Sequence, residues 1–132
     1  MEGTIGEMKV FAGSYAPKNW MICNGEYLKI EDNMVLFSVI GTTYGGDGMR
    51  TFALPDMRGR TVIGAGRGPG LSDRKAGEKL GVESDWDNTG RAEAFNKEPI
   101  QVNVTTESNK MQPSLVANWI ICVKGIYPVR DY

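Results

Sequence analysis

LFSVIGTTYGGDGMRTFALPDMRGR, residues 36–60, joins an apolar helical end to a glycine-rich turn and a short strand. Val35, Leu36, Val39 and Ile40 share one face by i, i+3, i+4 spacing, which predicts a helix over about residues 31–40, opening at Ile30. Glu31, Asp32 and Asn33 put acidic and capping groups near its start, and Gly41 suits the left-handed position that ends a helix. Tyr44-Gly45-Gly46-Asp47-Gly48 is then a turn, and Thr51-Phe52-Ala53-Leu54 a strand ended by Pro55-Asp56. The stretch has the look of a phosphate loop and the build of a structural junction.

Upstream, Ile5 to Phe11 alternates loosely and reads as a strand. Trp20-Met21-Ile22-Cys23 is a buried-strand pattern stopped by Asn24-Gly25, a favoured two-residue hairpin turn, so Glu26-Tyr27-Leu28 is expected to fold back as its partner. Downstream, Thr61-Val62-Ile63 is a strand candidate and residues 64–70 read as a loop. A polar excursion at about 82–98 carries Trp86 and Phe95 as isolated aromatics. Ile100 to Thr105 alternates strictly, as in a half-buried strand. Leu115 to Val123, bounded by Pro113 and Gly125, is the longest apolar run and reads as a central strand. The expectation is a single domain, residues 1–132, mainly β or α+β, glycine-rich, with one short helix.

Composition narrows the function. With 132 residues the chain suits one modest core. Its 17 glycines are about twice the usual share. A net charge of −1 disfavours a general nucleic-acid binder. No apolar run is long enough for a transmembrane helix, and Met1-Glu2-Gly3-Thr4 has no secretory signal pattern, so synthesis in the cytosol is expected, with no membrane insertion. Cys23 and Cys122 both sit in strand-like segments and read as buried free thiols; a bridge between them stays open if the terminal strands pair. His is absent, which removes Ser-His-Asp and Cys-His catalysis and most zinc sites.

The remaining chemistry is thin. Residues 64–70 lack the Lys-Ser/Thr pair of a nucleotide-binding P-loop, and Pro69 removes an amide donor. Asp47 and Asp56 lie in turns and Asp85 and Asp87 in the excursion, with no spacing that selects a catalytic pair. Asp85-Trp86-Asp87-Asn88 offers oxygens to calcium but lacks the EF-hand pattern. Trp86, Asp87, Asn88, Arg91 and Phe95 are candidates for partner or receptor contact, because aromatic platforms beside amide and carboxylate groups suit sugar or protein surfaces. The competing reading is that Trp86 and Phe95 pin the excursion to its own domain or to a neighbouring subunit. No catalytic residue, cofactor or metal is expected.

A longer set of motifs is more specific. Ile5-Gly6-Glu7-Met8, Phe11-Ala12-Gly13, Ala16 to Trp20 and Cys23-Asn24-Gly25 lead into Gly41 to Gly48. Phe52 to Asp56, Arg58-Gly59-Arg60, Gly66 to Leu71, Gly77-Glu78, Met111-Gln112-Pro113, Asn118 to Ile121 and Gly125 to Pro128 follow. In this order, over roughly residues 4–81 and 111–129, they resemble the phage tail collar domain family, which includes the microcystin-dependent proteins of bacteria. The resemblance implies a non-enzymatic, homotrimeric module of a virion tail fibre, baseplate or contractile injection particle, with other tail proteins as partners. Family members often carry a longer insert with a Ser-His-Asn-His element, and related fibre tips bind iron through His-x-His. This chain has no His, so that metal role does not transfer. The short excursion favours a connector or plug. A tip that recognises cell-surface glycan is the first alternative, and a small bacterial enzyme the distant second.

Overall fold

The computed structural model describes residues 2–81 and 111–131. The chain divides into two compact units, residues 1–78 with 117–132, and residues 79–116. The first unit carries all the regular structure among the described residues. It is mainly β with one short α-helix, the expected class. The strand expected over Ile100 to Thr105 lies outside the described residues.

Its main sheet has three antiparallel strands: β1 (Met8–Phe11), β2 (Trp20–Ile22) and, between them, β7 (Asn118–Cys122). The central position of β7 explains the apolar run Trp119 to Cys122 that follows Asn118, although the strand is shorter than the one expected from Leu115. Ile121 packs with Ile5, Cys23, Leu36, Phe52 and Leu54 on one face, while Ile120 and Cys122 pack with Trp20 on the other. A strand buried on both sides shows no alternation. Each of these fully buried aliphatic or aromatic side chains contributes about 1.5–3 kcal/mol relative to exposure. Lys9 lies over the Trp20 ring, its ammonium 4.5 Å from the centroid, and covers the edge of the second core.

The first strand is shorter than its pattern. Gly6 adopts φ +93°, and a Cβ there would meet Val39 Cγ1 at 2.9 Å, so the chain bends before β1. Ile5 still donates its N–H to Ile126 O at 2.8 Å, which ties the entry of the fold to its exit.

The expected hairpin at Asn24-Gly25 does not form. The chain runs on from β2 into β3 (Tyr27–Lys29), and β3 pairs antiparallel with β4 (Thr51–Ala53). The Asn24–Asp56 bridge and the Met57 N–H to Cys23 O hydrogen bond at 2.9 Å continue that register. The chain therefore leaves the main sheet at Cys23 and joins a second, two-stranded one. A pairing partner thirty residues downstream prevails over the local turn signal, because it satisfies the backbone groups on both sides of Gly25.

The helix also differs from its pattern. Ile30–Asp32 form a single 3-10 turn and α1 spans Met34–Ile40. Asn33 breaks the continuity with φ −141°, ψ 43°, and its side-chain amide donates back to Lys29 O at 3.2 Å instead of capping α1. This is the usual competition between an Asn side chain and a helical backbone. Leu36 is buried and Phe37 and Ile40 pack beside it, with Phe37 edge-on to Phe52 at 5.3 Å between centroids. Gly41 ends α1 with φ 55°, its N–H bonded to Phe37 O at 2.8 Å.

Thr61-Val62-Ile63 is not a strand; the triplet stands exposed and joins no ladder among the described residues. Within the following loop, β5 (Gly66–Arg67) and β6 (Asp73–Arg74) form a minimal antiparallel pair.

Candidate functional site

The residues singled out for partner contact, Trp86, Asp87, Asn88, Arg91 and Phe95, lie outside the described residues, as does Asp85. What can be built from the atoms is the glycine-rich junction between α1 and β4.

Gly41 turns the chain away from α1, and Gly45, Gly46 and Gly48 hold positive φ of 134°, 101° and 75°. Gly46 lies directly on the backbone of β4: a Cβ there would come within 2.6 Å of Thr51 O and would also strike the Phe52 backbone. Ala53 donates its N–H to Gly45 O at 3.0 Å, and Gly48 donates to Thr51 O at 3.0 Å, so the turn is laced to the strand that follows it.

Asp47 decides what this loop is. Its Oδ1 accepts the backbone N–H groups of Met49 at 2.8 Å, Arg50 at 2.9 Å and Thr51 at 3.0 Å. Convergent amides of this kind form the nest in which other proteins hold phosphate. Here the chain's own carboxylate occupies it. The bonds from Thr51, Arg50 and Met49 hold the Asp47 carboxyl far below the usual range, so it stays ionised. The phosphate-loop appearance is thus explained by an internal anion.

Asp56 is likewise engaged within its turn. Arg58 makes a two-pronged pair with it, Nε to Oδ1 and Nη2 to Oδ2, both at 2.8 Å, which raises the guanidinium pKa further. Asp56 also packs against Gly25, where a Cβ would meet Asp56 Cβ at 3.1 Å. Asp47 thus binds backbone amides and Asp56 binds Arg58, as turn aspartates do.

Both thiols are buried. Burial pushes Cys23 up to about 12 and also raises Cys122. The β2–β7 register sets Trp20 opposite Cys122, and Cys23 donates its N–H to Trp119 O. The two cysteines therefore stand on opposite faces of the sheet, in different cores, and both are free. Among the described residues no group of three His, Cys, Asp or Glu could hold a metal ion, and no helix is long and apolar enough to cross a membrane.

The junction and the β2–β3–β4 passage it serves fall inside one region of similarity. Residues 6–62 match the Phage Tail Collar Domain family. That match is narrower than the stretch over which the motifs resemble the family, and it ends before β5. The chain is also 37% identical over 70 residues to "Short tail fiber protein gp12" of Enterobacteria phage T4, an alignment covering 52% of this chain and 13% of that protein. The similarity is therefore to phage tail proteins, as the motifs indicated, and the chain spans a small part of the length of the relative it matches. Within residues 6–62, the turn Gly41 to Gly48 and β4 form the junction built by the chain's own hydrogen bonds.

Sequence reasoning missed one surface. The α1 residues Met34-Val35-Leu36-Phe37-Ser38-Val39-Ile40 contain no charge, so apart from Ser38 the helix is apolar on its outer side as well as its inner one. The signal was present as the absence of any charged residue in the helix.

Proposed function

We propose that this chain is a non-enzymatic structural component of a phage tail fibre, baseplate or related contractile injection particle, acting by assembly as a homotrimer. The collar match over residues 6–62 carries this reading. The junction geometry supports it, because the loop most suggestive of ligand chemistry is filled by its own Asp47. In this account residues 1–132 make one collar-like domain with an excursion inserted at 82–98, made in the bacterial cytoplasm and incorporated into the virion. Trp86, Asp87, Asn88, Arg91 and Phe95 supply the contact with a neighbouring tail, fibre or baseplate protein.

Gold-labelled antibody against this chain, applied to purified particles, tests the assignment. Label at the tail or baseplate is expected, and particles that never carry the chain would contradict it. The Trp86→Ala, Asn88→Ala double variant separates connector from tip. A connector loses retention in the particle and leaves cell binding by glycan unaffected. Loss of glycan binding with normal incorporation would instead identify the excursion as a receptor site.

A further inference from the structure

Two exposed surfaces of the first unit complement one another. The outer side of α1 presents Met34 at 63% and Val35 at 47% exposure, beside Val39. Glu31 and Asp32 stand exposed at its approach. The second surface is the arm from Arg58 to Ser72. Its residues are almost all exposed, with Val62 at 51%, Ile63 at 60% and Leu71 at 66%. It carries Arg58, Arg60 and Arg67 and no acidic residue, although the whole chain is slightly acidic. An apolar face beside acids and an apolar arm with basic residues are a matched pair.

We infer that the arm of one copy docks along the outer face of α1 in a second copy, Val62 and Ile63 covering Met34 and Val35, and Arg67 meeting Glu31 and Asp32. This rests on the assembly reading and specifies where the copies meet. The opposite charges favour contact between these two different patches, arm on helix, over helix on helix or arm on arm. Repeated in one sense from copy to copy, such a contact closes a ring, as the trimer reading requires. Apolar burial supplies affinity, and the opposite charges set register.

The test is a Val35→Cys, Ile63→Cys double variant of the full chain, oxidised at low concentration and run without reductant. Covalent dimers and trimers are expected. A monomer with an internal cross-link would show the arm closing on its own helix, and an absence of cross-links would separate the two surfaces; either result overturns the inference. A charge exchange gives a second reading that does not depend on cysteines. Asp32→Lys and Arg67→Glu should each weaken assembly about tenfold, and the combination should restore it to within about threefold. Weakening without restoration contradicts the proposed contact. If the wild-type chain is a trimer and both tests fail, the location is wrong and the assembly reading stands; if the wild-type chain is a monomer, both fall.

Discussion

Three backbone N–H groups converge on Asp47 Oδ1, and a single side chain thereby fixes the turn that joins α1 to β4. Because the folded carboxyl titrates far below its ordinary value, its stabilisation is complete above the unfolded pKa of about 3.9 and is lost as pH falls toward the folded one. Asp47→Ala should lower the melting temperature by a few degrees at pH 7, and the gap from wild type should close as pH drops below about 4. Thermal unfolding across pH measures this, and a gap that does not change with pH would refute it. The neighbouring glycines are not equivalent to glycines elsewhere. Gly46→Ala must hold φ near +101° and press a methyl onto the β4 backbone, which should cost at least about 2 kcal/mol. Gly64→Ala has open space and no positive φ, and should be neutral or stabilising by up to about 1 kcal/mol. At this scale the sequence was informative about conformation: Gly41 and Asp47 read as turn residues and are. It could not show that Asp47 fills the nest, because the three donors come from residues of no special type.

Among the elements, those with strong one-dimensional patterns were legible. β7 followed from a β-branched run bounded by Pro and Gly, but it spans only Asn118–Cys122; Leu115 and Val116 stand exposed before it, and the apolar stretch Trp119 to Cys122 is the part that packs against both cores. β4 followed from Thr51 to Leu54 between turn residues. The β2–β3 hairpin was misread because Asn24-Gly25 signals a reversal locally, whereas the actual partner of β3 is β4, which no short window contains. Thr61-Val62-Ile63 has strand propensity but pairs with no strand among the described residues, so propensity alone produces nothing there. The register of β2 on β7 carries a testable consequence. With Cys23 and Cys122 on opposite faces, mild oxidation should leave the monomer without an internal disulfide. Both thiols should resist a thiol reagent at pH 8 until the protein is unfolded, since burial keeps them protonated. Rapid modification of native protein would show that the sheet register or the burial is wrong.

The whole molecule is where sequence and structure contribute most differently. The motifs spread along the chain pointed to the collar family, and the similarity over residues 6–62 agrees, although no single motif would have sufficed. The excursion was legible only as composition, and its candidate residues Trp86, Asp87, Asn88, Arg91 and Phe95 have no structural description here. The apolar outer side of α1 escaped notice because the spacing grouped Val35 and Val39 with Leu36 and Ile40, whereas Val35 and Val39 stand exposed and Leu36 is buried. On the assembly reading, Met34, Val35 and Val39 are where another copy is expected. Light scattering coupled to size exclusion tests the assembly account most directly. At micromolar concentration the full chain should elute with the mass of three copies, each of 14.5 kDa, and a sharp peak at the mass of one copy would contradict the account.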